Sequence, residues 1–224
     1  MTRRYGLLLC LALTACAGDA ARRGDEAAGM PADSGATLVY QCNDYRFVAR
    51  PAADAIALWL DDGYTVLPRV PGASGTLYEE GDVAFWSKGD ETILTVAGES
   101  FQNCHPDPAR APWEDARLRG VDFRGAGDSP AWYLEIQGER QLLFVAGEGM
   151  QRVLLTDPVA QAVGAGRIYQ GMAGGHALRV EIVDERCTGV PGADTFPSRV
   201  VVTLDGVGYR GCGERLLNPW EDLE

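Results

Sequence analysis

The chain has 224 residues, of which 46% are hydrophobic and 8% aromatic, as in an ordinary globular protein with one large domain or two small ones. Its formal net charge of −12 argues against nucleic acid as a partner, because a phosphate backbone requires clustered Lys and Arg. The charge favours a basic protein partner, although solubility alone would explain it equally well. All but one of the 20 basic residues are Arg, and the exception is Lys88.

Residues 1–15 are predicted to be a lipoprotein signal peptide. A positively charged start precedes an apolar stretch from Leu7 to Leu13, which is too short to span a bilayer. The stretch ends in Leu-Thr-Ala-Cys16, which resembles the bacterial lipobox, and the resemblance implies cleavage before Cys16 and lipid on its thiol. Several acyl chains would anchor the protein stably. By analogy with enteric lipoproteins, Ala17 in place of Asp implies the outer membrane, with the domains facing the periplasm. An ordinary cleaved signal that happens to contain Cys16 is the alternative.

Residues 16–37 are predicted to be a flexible tether between the lipid and the folded part. They are rich in Ala, Gly, Asp and Arg and show no apolar period. Random-coil scaling gives them a reach of about 25 Å, which would hold the folded part clear of the membrane surface.

Short apolar segments separated by turn residues predict an all-β first domain over residues 38–105. The predicted strands are 38–48, 55–60, 64–70, 83–87, 92–97 and 100–104, and residues 73–78 are expected to form a loop. Asp61-Asp62-Gly63 is typical of a hairpin turn. Strands this short at this spacing indicate a small antiparallel barrel or sandwich.

Residues 106–120 are predicted to be a Pro-rich linker. They include Pro106, Pro108 and Pro112, and Pro lacks a backbone donor and resists both helices and central strands.

Residues 121–215 are predicted to form a second small antiparallel β domain, followed by a tail over 216–224. The predicted strands are 132–136, 141–145, 153–156, 168–170, 177–183, 200–204 and 207–210. Asp205-Gly206 between the last two is the strongest hairpin signal in the chain. The segments around residues 123–136 and 209–212 resemble an uncharacterised bacterial envelope lipoprotein domain, which implies no activity.

Four cysteines remain after the signal peptide and Cys16 are set aside, and an even number is typical of an oxidising compartment. They allow three pairings. The local one, Cys42 with Cys104 and Cys187 with Cys212, places one disulfide in each half of the chain. Zinc is not indicated because no C-x-x-C spacing occurs, and no other metal or cofactor is expected.

Two motifs in the first domain carry the functional prediction. They are Ser-Gly-x-x-Tyr at residues 74–78 and Trp-x-Lys-Gly-x-Glu at residues 86–91, with Ser74 and Lys88 fourteen positions apart. Together with Tyr40-x-Cys42 and Cys104, they resemble the MliC/PliC family of inhibitors of c-type lysozyme, whose fold is a small disulfide-closed β-barrel. The resemblance covers residues 38–105. Taken alone, Lys-Gly-Asp-Glu is an ordinary hairpin tip.

The resemblance implies that Ser74 and Lys88 project from adjacent loops and enter the active-site cleft of c-type lysozyme. The predicted lysozyme-binding residues are Ser74, Gly75, Tyr78, Lys88 and Gly89. A compact ammonium fits a narrow cleft better than a planar guanidinium, and glycines allow close backbone approach. Tyr78 could equally be a packing residue. One departure is Leu77, where family members often carry Arg or Lys.

An enzyme is not expected, because the only two histidines, His105 and His176, lie in segments predicted to be irregular and suggest no nucleophile–base pair. The predicted function is a lipid-anchored lysozyme inhibitor. The alternative is an envelope binding or scaffolding lipoprotein that kept the barrel and lost inhibition.

Overall fold

The structure is a computed structural model that describes residues 35–138 and 140–216. These residues form two antiparallel β-sheets with one short helix between them. The sheets contain one disulfide each, Cys42–Cys104 and Cys187–Cys212, which confirms the predicted all-β class and the local pairing. The predicted signal peptide, Cys16, most of the tether and nearly all of the tail lie outside the described residues. Within the described part, no helix is long and apolar enough to cross a membrane.

The first sheet is an up-and-down arrangement of nine strands. They are β1 (Leu38–Cys42), β2 (Tyr45–Pro51), β3 (Ala55–Leu60), β4 (Gly63–Val70), β5 (Thr76–Glu80), β6 (Val83–Lys88), β7 (Glu91–Val96), β8 (Glu99–Phe101) and β9 (Cys104–Pro106). Strands that follow one another in sequence are paired, except that β9 returns to pair with β1. This register places Cys42 opposite Cys104, so the disulfide joins the two ends of the domain.

The core of the first sheet is made of alternate residues that point to its concave side, as strand geometry requires. The buried side chains include Phe47, Ile56, Leu58, Leu67, Phe85 and Leu94. Because β9 also lies close to β7, the sheet curls towards closure and is barrel-like.

The second sheet also has nine strands and closes in the same way. They are β10 (Phe123–Asp128), β11 (Ala131–Gln137), β12 (Gln141–Ala146), β13 (Gln151–Thr156), β14 (Ala160–Val163), β15 (Gly166–Ala173), β16 (His176–Val183), β17 (Ser198–Leu204) and β18 (Val207–Arg215). The last strand, β18, returns to pair with β10, and β13 approaches β15. A core rich in Leu, Val and Phe fills the interior.

The strand boundaries differ from the prediction where a turn residue was missed. The predicted single segment 38–48 is the hairpin β1–β2, because Asn43 takes a φ of 55° that reverses the chain. The segment 100–104 is divided in the same way between β8 and β9, at Asn103 with a φ of 57°. The expected loop at 73–78 contains the start of β5. Strands β10 and β14 were not predicted.

The expectation that the prolines of the predicted linker, residues 106–120, would resist a helix was wrong. A helix, α1 (Ala111–Leu118), occupies its second half. Pro112 lies in the first turn, where its missing N–H has no helical acceptor and its fixed φ suits the helix. Trp113 is almost fully buried and its ring lies 4.5 Å from that of Phe196, so packing against the second sheet stabilises the helix.

Helix α1 contacts both sheets through charged groups. Asp115 accepts hydrogen bonds from Arg50 of β2 at 2.8 Å and from Thr37 at 2.9 Å. At the C-terminal end of the helix, Arg119 pairs with Glu135 of β11 at 2.8 Å. Burial acts to raise the pKa of Asp115, but hydrogen bonds from Arg119 and Thr37 and the charge of Arg50 outweigh it and lower that pKa.

The same contacts correct the predicted end of the tether. Thr37 is only 9% exposed and also accepts a hydrogen bond from Arg50 at 2.8 Å. The backbone N–H of Gly35 donates to the carbonyl of Pro51 at 2.6 Å. Residues 35–37 therefore belong to the folded part rather than to a tether that ends at 37.

Candidate functional site

The pairing of β5 with β6 brings the two predicted motifs together. In the antiparallel register Thr76 lies opposite Ser87, so the loop just before β5 is next to the end of β6. Ser74 is in that loop and Lys88 is the last residue of β6. Both are exposed. Residues 73–75 and 86–89 together form one part of the edge of the first sheet, which we call the rim.

Gly75 holds the two halves of the rim in contact. Its φ is +73°, and a Cβ at this position would lie 2.9 Å from the Cβ of Lys88 and 2.4 Å from the carbonyl oxygen of Ser87. Side chains other than hydrogen therefore do not fit without displacing the backbone. The loop that carries Ser74 lies directly against the stem of Lys88.

A hydrogen bond from Trp86 fixes the same loop from the other side. The indole Nε1 donates to the backbone carbonyl of Ser74 at 2.8 Å. Trp86 stands on the outer face of β6, two residues before Lys88, with Leu77 and Ile93 opposite it on the neighbouring strands. Trp86 belongs to the second motif but is not among the predicted lysozyme-binding residues. The sequence does contain a signal for this role, which is a Trp that faces outward close to a lysine. A half-buried indole N–H needs a hydrogen-bond acceptor, so a nearby loop carbonyl could have been expected.

Lys88 is presented without a partner of its own. Among residues 35–138 and 140–216, no carboxylate lies within the 4.0 Å ion-pair limit of its ammonium, although Glu91 is its cross-strand neighbour. Residues 38–105 contain ten acidic and four basic residues, a net charge of −6, and Lys88 is the lone lysine. The rim therefore presents a single cation, Lys88, on a domain whose net charge is negative.

The remaining predicted residues have supporting positions. Tyr78 is only 7% exposed and packs against Phe85 in the core, with ring centroids 6.2 Å apart, so it holds β5 from inside. Gly89 has a φ of +59° and forms the turn after Lys88, where a Cβ would meet no atom within 4 Å. Leu77 is half-buried and does not add a charge to the rim.

Residues 40–101 match the family model of MliC, the membrane-bound lysozyme inhibitor of c-type lysozyme. The match runs from β1 to β8 and includes the whole rim, but it covers less than a third of the chain. The first sheet is therefore called the MliC-like domain. No curated protein and no solved structure matches the chain.

Proposed function

We propose that the MliC-like domain inhibits c-type lysozyme by inserting Ser74 and Lys88 into the active-site cleft. The observation that carries the proposal is the preformed rim, in which Gly75 touches the Lys88 stem and Trp86 binds the Ser74 carbonyl. A loop that is already ordered loses little conformational freedom on binding, so more of the contact energy contributes to affinity.

The chemistry of the rim suits a cleft that contains carboxyl groups. Lysozyme holds two of them, one kept protonated by apolar surroundings and one ionised. The Lys88 ammonium can pair with the ionised group, and a Ser hydroxyl can donate or accept, so Ser74 can meet either form. C-type lysozymes are basic, and the acidic MliC-like domain would attract them before contact.

We further propose that lipid on Cys16 anchors the protein to the outer membrane, with both domains in the periplasm. The support is the Leu-Thr-Ala-Cys16 sequence after an apolar stretch, together with Ala17. A lipoprotein in that place would meet lysozyme that has crossed the outer membrane. The Cys16→Ser variant should no longer incorporate labelled palmitate and should move from the membrane fraction to the soluble fraction.

The test of inhibition uses residues 35–224 without the lipid anchor in a titration of c-type lysozyme. Removing one partner of a buried, hydrogen-bonded charge pair costs about 2–5 kcal/mol, so Lys88→Ala should raise the inhibition constant by at least about 30-fold. Lys88→Arg should lose less, because it keeps the charge but needs more room. Arg46→Ala, which removes an exposed cation from β2, is the matched control and should inhibit normally.

The outcomes separate the proposal from its rival. Equal inhibition by Lys88→Ala and Arg46→Ala would place the lysozyme contact outside the rim. No inhibition by the wild-type protein would favour an envelope binding or scaffolding lipoprotein instead.

A further inference from the structure

A cleft opens at one end of the second sheet, at the edge where β10 begins and β11, β13 and β16 end. Its volume is about 860 Å³, within the range of small-ligand sites. The floor is apolar and consists of Phe123, Ile136, Tyr169, Ile182 and Leu216. Nothing in the MliC match accounts for this cleft, because the match ends at residue 101.

Six charged side chains line the mouth of the cleft, three of each sign. The sheet places each arginine near an aspartate in three places. Arg140 pairs directly with Asp157, Arg215 precedes the residue that pairs with Asp122, and Arg167 lies two residues after the one that pairs with Asp184. At one point, for example, the N–H of Asp157 donates to the carbonyl of Arg140 at 2.8 Å. Within the described part of the chain none of the six forms an ion pair at 4.0 Å or less, although the Asp122 carboxylate accepts a hydrogen bond from the backbone N–H of Gly138.

Ser198 adds a hydroxyl to the wall of the cleft. Ser198, the first residue of β17, is 5% exposed and lines the cleft. Its hydroxyl makes no hydrogen bond with any residue that the structure describes. Because the residue lines the cleft, this hydroxyl can donate a hydrogen bond to a bound ligand or accept one from it.

We infer that this cleft binds a short peptide with free termini and an apolar side chain. An anion without an ammonium would meet three aspartates, and a purely apolar ligand would displace water from charged side chains at the mouth without offering them a partner. A zwitterionic ligand can pair with the arginines and with the aspartates at the same time. Its ammonium pairs with an aspartate, its carboxylate pairs with an arginine, and its apolar side chain covers the floor.

The test is calorimetric titration of residues 35–224 with three probes. They are the tripeptide Ala-Leu-Ala with free termini, the same peptide acetylated and amidated, and octanoate. The free peptide should bind, blocking its termini should weaken binding at least tenfold, and octanoate should give no measurable heat. In NMR spectra of the wild-type protein, the free peptide should shift the amide signals of Ser198 and Asp184.

Variants then test the charges. Arg167→Gln and Asp184→Asn should each weaken binding of the free peptide at least fivefold. Arg152→Gln, on the exposed side of β13 and away from the cleft, is the matched control and should bind as the wild type does. Binding of the blocked peptide or octanoate as tightly as the free peptide would overturn the inference. So would equal binding by Arg167→Gln and Arg152→Gln, NMR shifts confined to other residues, or no binding of the free peptide.

Discussion

Gly75→Ala gives the sharpest test of the rim, because its effect on the free energy of unfolding has two separable parts, backbone strain and overpacking. An L-residue in the left-handed region costs about 1–2 kcal/mol. The new methyl group would also meet the Ser87 carbonyl at 2.4 Å and the Lys88 Cβ at 2.9 Å. Overpacking of this kind costs typically about 1–3 kcal/mol.

Gly81→Ala is the control, because it introduces the backbone strain of a positive φ without the overpacking. Gly81 has a φ of +61° in the β5–β6 turn, and a Cβ there would meet nothing within 4 Å. The loss of unfolded-chain entropy on replacing Gly by Ala is the same in both variants and cancels in the comparison. Gly75→Ala should therefore lower the free energy of unfolding by about 1–3 kcal/mol more than Gly81→Ala does.

The loop can relieve the clash by moving away from Lys88, and that movement would have its own signature. It would break the Trp86–Ser74 hydrogen bond, which contributes about 1 kcal/mol. It would also separate the side chains of Ser74 and Lys88, which are proposed to enter the lysozyme cleft together. Urea denaturation measures the first effect and lysozyme inhibition the second. If Gly75→Ala matched Gly81→Ala in both unfolding free energy and inhibition constant, the contact between the loop and Lys88 would have no role.

Three further outcomes are expected. Trp86→Phe removes the donor to the Ser74 carbonyl, so urea denaturation should show a free energy of unfolding that is lower by about 1 kcal/mol. The inhibition constant should also rise. An unchanged inhibition constant would mean that this hydrogen bond does not order the rim. The pKa of Asp115 is lower in the folded state, so its contribution to stability is complete above its unfolded pKa of about 4 and is lost as the pH falls through the folded value. Thermal melts on acidification should show this loss, and Asp115→Asn should melt with a flatter acid dependence. Replacing both Cys187 and Cys212 with Ser opens a loop with a sequence separation of 25 and should cost about 3.5 kcal/mol of unfolding free energy. Lysozyme inhibition should stay unchanged, because the proposed contact lies on the other sheet.

The sequence was sufficient for the fold class because most strands are bounded by strong turn residues. It was insufficient for β5, whose Thr-Leu-Tyr-Glu-Glu ends in two acidic residues that are rare in strands. It also failed for α1, which has eight residues, too few for an apolar period to stand out. Both elements become ordered through partners that are distant in the chain, such as Phe196 against Trp113.

The sites differ in how much of them the sequence could reveal. The spacing of Ser74 and Lys88 could be compared with a family pattern, but the bond from Trp86 depends on the exact register of β5 and β6. The charged cleft could not be found at all. Its arginines, among them Arg140 and Arg215, are far apart in sequence and meet only because the second sheet curls round on itself.

Helix α1 packs against the first domain as well as against the second. In the ion pair between this helix and β2, the side chain of Arg50 is 8% exposed and that of Asp115 is 39% exposed, so the nearly buried guanidinium uses Asp115 as one of its partners. A fragment that stopped at residue 105 would take Asp115 away from Arg50, and it would also take Leu118 away from the buried cluster around Trp59. The proline-rich segment is therefore part of the packing of the MliC-like domain, and its Trp113, buried against Phe196, joins the same segment to the second sheet.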